Sequence, residues 1–289
     1  MQNPLKRKYT EALDRELVQL ALEGDRQALE RLIQLHQSFI YNVAWKMVHD
    51  PNDAMDLTQE VLIKVITKLS QFKFKSSFRT WLYRIVTNEF LQTKRRKAEA
   101  QFTTFEAMGQ QLDAIPDADL NREEEIVFEE LSKEMQVRCM SGMLMCLTRE
   151  HRLIYILGDS YGIAHTLGAE IFEISKQNFR VKLHRARQQL YNYMQNKCGL
   201  VNKNNPCRCP KKAKALKQMG VLDEEKMIFT KSFQHSIADY AEANYQEARD
   251  LYDESITILF QEHPTRTAFD KKTFLNTILK DNEFLKFFE

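Results

Sequence analysis

Apolar residues recur along most of the chain at steps of three and four, the period of a helix that buries one face. Leu13, Leu17, Leu20 and Ala21 keep that spacing, as do Leu29, Leu32, Ile33 and Ile40. Asp50-Pro51-Asn52-Asp53 reads as a turn and a helix start, with Asn52 or Asp53 as the N-cap. Met55, Leu57, Val61, Leu62, Val65, Ile66 and Leu69 then carry an amphipathic helix. The pattern lapses over Ser70 to Ser77 and returns with Phe78, Trp81, Leu82, Ile85 and Val86. Phe78, Trp81, Leu82 and Ile85 share a helical face and are expected in a core. Residues 98–130 are polar and acidic, with Pro116, and read as a linker with room for a short helix near Glu123 to Glu130. Helical period resumes at Leu131.

Residues 148–194 have a more specific shape. Thr148 precedes a helical run (Leu153, Ile154, Ile156, Leu157) that Gly162 breaks. A short helix over 165–172 leads to Glu173-Ile174-Ser175, where Ser175 is a good N-cap and Ile174 can staple to Phe179. Phe179, Leu183, Ala186, Leu190 and then Tyr193 or Met194 form an apolar stripe, while Lys176, Arg180, Lys182, Arg185 and Arg187 fall mostly off it. Two helices at a tight junction, the second apolar on one side and basic on the other, form a helix-turn-helix pattern. The expected fold is all-α: two small helical domains joined by an acidic linker, with a helical C-terminal extension.

Composition agrees. Eight Gly and six Pro in 289 residues leave little room for a many-turned β-sandwich or a Gly-rich phosphate loop, and a 43% hydrophobic content is enough for packed cores. No apolar run approaches the roughly 18 residues of a membrane span and the first residues carry no signal-peptide stretch, so a cytoplasmic protein without membrane insertion is expected. An odd count of five Cys argues against a disulfide framework.

Charge changes the picture more. The total is nearly balanced, 42 basic against 40 acidic residues, but the signs are segregated. Lys64 to Lys97 holds ten bases and one acid, Glu89. Glu106 to Glu134 holds ten acids and two bases, and Ser175 to Gln218 twelve bases and no acid. Met219 to Glu289 carries fourteen acids and eight bases. Basic blocks are the electrostatic footprint of nucleic-acid binding, although a basic run can also be a solvated face.

Asp53-Ala54-Met55-Asp56-Leu57-Thr58-Gln59-Glu60-Val61 resembles the D-A-x-D-L-x-Q-E-V segment of sigma-70 family transcription initiation factors of the compact extracytoplasmic-function type. Phe78-Arg79-Thr80-Trp81-Leu82-Tyr83-Arg84-Ile85-Val86-Thr87-Asn88 resembles that family's F-x-T-W-L-x-R-I-A-x-N segment, about 17 residues downstream. Lys182-Leu183-His184-Arg185-Ala186-Arg187 is similar to the end of its fourth-region recognition helix. The resemblance implies a region 2-like domain over 10–97, the linker over 98–130 and a region 4-like domain over 131–196. A Cys-containing basic segment (197–218) and an acidic extension (219–289) lie beyond the family's minimal architecture.

The resemblance also implies roles and partners. Asp53, Asp56, Leu57, Gln59, Glu60 and Ile63 would contact the clamp of core RNA polymerase. Lys73, Phe74, Lys75, Ser76, Ser77, Arg79, Arg84, Asn88, Lys94 and Arg95 would hold and open promoter DNA near its −10 element, where strand opening needs cations for the backbone and rings for unstacked bases. Ser175, Lys176, Gln177, Asn178, Arg180, Lys182, Arg185 and Arg187 would serve the −35 element, with Lys176, Gln177, Asn178 and Arg180 at base edges and Lys182, Arg185 and Arg187 on phosphates. Family members commonly pair with an anti-sigma protein, so such a partner, or the chain's own extension covering a basic face, enters as an expectation. Nucleotidyl transfer would belong to polymerase, so no catalytic residue is assigned. The alternative is a helix-turn-helix regulator that binds duplex DNA without polymerase. A metal-dependent enzyme built on Asp53, Asp56 and Glu60 lacks an accompanying His–carboxylate set.

Two departures from the family pattern stand out. Glu173 occupies a turn position where Gly is frequent, and Gly168 lies inside the first short helix at a cost of about 1 kcal/mol relative to Ala. Cys198, Cys207 and Cys209 cluster as weak zinc candidates without an obvious fourth ligand, and zinc is the one cofactor they raise. Free reduced thiols, or a redox switch with a thiol pKa lowered by neighbouring Arg and Lys, are the other readings. Cys139 and Cys146 are expected in a core.

Overall fold

The structure is a computed structural model and describes residues 11–93 and 104–222. Lys94, Arg95 and the acidic extension from 223 onward lie outside the described residues, as do the expectations placed on them. The described residues are helical, without strands: α1 (Glu11–Leu22), α2 (Arg26–Val48), α3 (Pro51–Thr67), α4 (Phe78–Gln92), α5 (Phe105–Ala114), α6 (Arg122–Val127), α7 (Glu129–Cys146), α8 (Arg149–Tyr155), α9 (His165–Phe172), α10 (Lys176–Lys197) and α11 (Cys209–Gln218). No described helix is long and apolar enough to cross a membrane.

The described chain divides into two compact units. The first contains α1 to α4, residues 156–181 with α9, and the opening of α10. Its centre is α2, which packs on α1 and α3 and buries Leu29, Leu32, Ile40, Val43 and Trp45. Asp50, rather than Asn52 or Asp53, caps α3: its carboxylate accepts the Asn52 and Asp53 N–H groups, both at 2.9 Å, and Pro51 takes the first helical position. A donor-free Pro suits a position whose N–H would be unpaired, so the cap falls one residue before it. Asp14 of α1 and His36 of α2 form a buried pair at 3.0 Å, with the Phe78 ring edge-on to the imidazole. Phe78 and Leu82 are buried as expected, whereas Trp81 and Ile85 are half-buried. α9 packs on α4, and Tyr161 adds its ring edge-on to Phe39, itself stacked on Tyr83.

The second unit contains α5 to α8, the remainder of α10, and α11. Its residues 104–131 are not a bare linker. α5 is capped by Thr104, and α6 opens with a capping box in which Asn121 and Glu124 satisfy each other's backbone N–H groups. Leu112 of α5 joins Leu131 and Met135 of α7, Cys209 and Ala213 of α11, and Leu222 in one buried cluster. α11 also reaches back with charge. Lys212 pairs with Asp117 at 3.1 Å and donates to the Ile115 carbonyl, and Lys214 pairs with Glu124 at 2.7 Å. Buried Arg152 donates to the carbonyls of Leu144, Met145 and Leu147 at 2.9–3.2 Å, satisfying the C-terminus of α7. The unit boundaries at 155/156 and 181/182 fall within the segment 131–196.

Candidate nucleic-acid interface

On α3, the alternation of 3.6 residues separates core from surface. Asp56 and Glu60 are exposed and Asp53, Gln59 and Ile63 are half-buried. Leu57 is fully buried, on the same stripe as Ala54 and Val61. Leu57 thus fills the core and cannot present apolar surface to a partner; Ile63 is the apolar candidate that remains.

The loop after α3 presents cations and rings together. Lys73 and Lys75 are exposed. Phe74 sits in the left-handed region (φ 58°), its ring 4.7 Å from Phe72, with the Arg15 guanidinium 5.8 Å above it. Non-Gly residues are uncommon at such φ values, so the ring contacts fix a local shape the backbone alone disfavours. Ser76 Oγ donates to the Ser77 carbonyl at 3.1 Å. Ser77 is the N-cap of α4, its Oγ accepting the Thr80 N–H at 3.0 Å, so this hydroxyl is committed to starting the helix. Along α4, Arg79 and Arg84 are half-buried and Asn88 is exposed. Glu89, the single acid of this block, is buried and paired with Lys64 of α3.

A groove beside this loop is lined by Lys75, Ser76, Ser77, Thr80 and Arg84, and also by Glu170 and Glu173. The Arg84 guanidinium is ion-paired with Glu173. Sequence reasoning did not bring Thr80, Glu170 or Glu173 to this site. Counting charge by block hides an acid about 90 residues away in sequence; the available signal was Glu173 in a turn that favours Gly.

The helix-turn-helix has the expected local chemistry. Ser175 Oγ accepts the Asn178 N–H at 3.1 Å, starting α10. Phe179, Leu183, Ala186 and Leu190 are buried, while Lys176, Gln177, Asn178 and Arg180 are exposed on the opening turns. Arg180 is steadied from α9, its Nε donating to His165 Nδ1 at 3.3 Å. Gly168 is explained: a Cβ there would lie 2.4 Å from the Phe179 ring. Glu173 adopts φ 54°, ψ 40°, the left-handed turn that Gly would hold without strain. Lys182 departs from its expected role. Its Nζ donates to both carboxylate oxygens of Glu150 at 2.7 Å, so its charge is balanced within the chain. Arg185 remains exposed and Arg187 is half-buried.

Comparison with known proteins finds relatives for part of this chain. The family profile for sigma-70 region 2 matches residues 32–100, which run from α2 through the loop and α4. The extracytoplasmic-function RNA polymerase sigma factor SigE of Mycolicibacterium smegmatis is 29% identical over 59% of this chain and 64% of its own length. SigW of Bacillus subtilis is 25% identical over 58% of this chain and 89% of its own, and the sigma-E factor of Escherichia coli K12 26% identical over 63% and 94%. The chain thus carries a segment similar to sigma-70 region 2. The relatives it resembles are extracytoplasmic-function sigma factors. A solved structure of CnrH in complex with the cytosolic domain of CnrY aligns over 63% of this chain and 97% of that one, at 20% identity and TM-score 0.45.

Beyond the effect of burial, Cys198 lies close enough to raise the pKa of Cys207, and both lie close enough to raise that of Cys209. All five are free thiols, and among the described residues no group of three or more His, Cys, Asp and Glu is arranged to hold a metal ion. Cys209 is part of the apolar cluster with Leu112 and Leu131, and Cys207 packs against it. Burial pushes the Cys207 thiol up to about 11, with Cys198 raising it further and Lys212 and Arg208 only partly opposing. The expected lowering by neighbouring bases is thus reversed, because loss of water outweighs nearby charge. Burial also raises Cys146 to about 11 and Cys139 above its ordinary range.

Proposed function

We propose that this chain is a sigma-70 family initiation factor that docks on core RNA polymerase and directs it to promoters. The observation that carries the reading is the match of residues 32–100 to sigma-70 region 2, on a structure where one helix exposes Asp56 and Glu60 and the next loop exposes Lys73 and Lys75. In this reading the acids of α3 meet a basic polymerase face, with Ile63 as apolar contact. Lys73, Phe74, Lys75, Arg79, Arg84 and Asn88 hold the opened strand near −10. Lys176, Gln177, Asn178 and Arg180 reach base edges of a −35 element, with Arg185 and Arg187 on the backbone. The factor needs no cofactor of its own, since polymerase performs nucleotidyl transfer, and it acts in the cytoplasm, where it meets the chromosome. An anti-sigma protein and the chain's own acidic extension are the regulators proposed with it.

Reconstituted transcription with core polymerase on a genomic promoter library tests this. Initiation at a defined promoter set, only when the chain is added, is the expected result. Binding to duplex DNA with no retention on core polymerase favours the free-standing regulator instead. The charge reversal Asp56→Lys with Glu60→Lys is expected to abolish retention on core polymerase while leaving helical content unchanged.

A further inference from the structure

The groove beside Lys75 to Ser77 presents two cations of the kind that hold a nucleic-acid backbone, Lys75 and Arg84, on a lining completed by Ser76, Ser77 and Thr80. Its other lining residues, Glu170 and Glu173, carry the opposite sign. Both come from the α9 end of the helix-turn-helix, and Glu173 is ion-paired with Arg84. A carboxylate and a phosphate make the same charge-assisted contacts with a guanidinium, so they compete for it.

Glu173 is also the wrong residue for its turn on local grounds. At φ 54° the turn favours Gly, and the turn's own hydrogen bonds run through backbone, from the Glu173 N–H to the Ala169 and Glu170 carbonyls. The side chain contributes nothing to them. Its ion pair is with Arg84, on a helix that resembles the strand-opening segment.

We infer that Glu170 and Glu173 form an internal stand-in for nucleic acid, masking the Arg84 side of the −10 groove until a backbone phosphate displaces them. The inference rests on the DNA role given to this groove above. It makes Arg84 a shared residue: paired with Glu173 it holds α4 to the helix-turn-helix, and paired with phosphate it releases that contact.

The test uses the full chain and a fluorescein-labelled oligothymidylate, read by anisotropy at low salt. Glu173→Gln is expected to tighten binding about two- to fivefold, the range of an exposed ion pair. Glu173→Gly, which suits the turn, is expected to do the same, and adding Glu170→Gln to increase the effect. In an Arg84→Ala background the Glu173→Gln gain is expected to vanish. Glu23→Gln, at an exposed acid beyond α1 that does not line the groove, controls for net charge, and urea unfolding controls for the fold. Equal tightening by Glu23→Gln and Glu173→Gln, or a gain that survives Arg84→Ala, overturns the inference. Core-dependent transcription by the unaltered chain is measured alongside. If that succeeds while Glu173→Gln changes nothing, the mask alone fails. If transcription fails while the Glu173 gain depends on Arg84, the mask stands and the initiation reading falls.

Discussion

At Gly168 the missing side chain is itself the structural requirement. Helix propensity alone favours Ala there by about 1 kcal/mol. A Cβ would fall 2.4 Å from the Phe179 ring, inside any tolerated contact, and Phe179 is fully buried. Overpacking a filled core typically costs about 1–3 kcal/mol, so Gly168→Ala is expected to be net destabilising, with a lower urea midpoint at unchanged m-value. Adding Phe179→Leu is expected to recover part of the loss. Arg152 gives a second prediction. Its guanidinium serves three carbonyls in a dry setting, and each unpaired buried group costs roughly 1–3 kcal/mol. Arg152→Met keeps the volume and removes the donors; a fall in stability of that order or greater is expected by the same unfolding measurement. The sequence marked Gly168 and Glu173 as departures but not their reasons, because one depends on a ring eleven residues away and the other on an arginine in another helix. Leu57 was misread for a related cause: a motif names positions, while burial is set by which helical face they occupy.

At the scale of elements, the long periodic helices and the short α6 and α9 were legible, whereas α5 and α11 were not. α3, α4 and α10 carry enough apolar repeats to declare a buried stripe. α5 has Met108 and Leu112 as its buried large residues, and α11 buries Ala213, Ala215 and the stem of Lys212 among charges. Such helices are stabilised by what they pack on, which local pattern does not display. Their docking predicts an acid response. Hydrogen bonds from Lys214 and the Asn121 backbone hold the Glu124 carboxyl below its ordinary range. A depressed carboxyl contributes fully above the unfolded-state pKa and loses that contribution as pH falls through the lower folded value. Contact between α6 and α11 is therefore expected to weaken below the ordinary glutamate range, and Lys214→Met to reduce that pH dependence to the part the Asn121 backbone supplies, read as amide exchange in α6. Cys207 should alkylate slowly at mildly alkaline pH, since its thiol ionises near 11, and quickly once urea opens the Leu112–Leu222 cluster.

For the whole molecule, the exposed basic positions of the loop after α3 and of the opening of α10 were legible while the grouping of segments was not. Nothing in the sequence pattern says that residues 156–181 join the first unit and that 104–155 join α11, since those partnerships are long-range. Leu222 also moves a boundary. It is buried against Leu112 and Met135, so a chain cut after Gln218 loses part of its core and one cut after Leu222 keeps it. The shorter chain is expected to melt lower than the longer. If the acidic extension shields a basic face, the chain ending at Leu222 should bind DNA more tightly than the full chain.

Glu89 carries a last consequence. Because the lone acid of the 64–97 block is turned inward onto Lys64, the described part of that block shows solvent no exposed carboxylate. It therefore offers little to repel the wrong polyanion. Heparin or structured RNA should be drawn to it as readily as a promoter strand, and such decoys are left to be rejected by shape and by the Glu170 and Glu173 carboxylates across the groove.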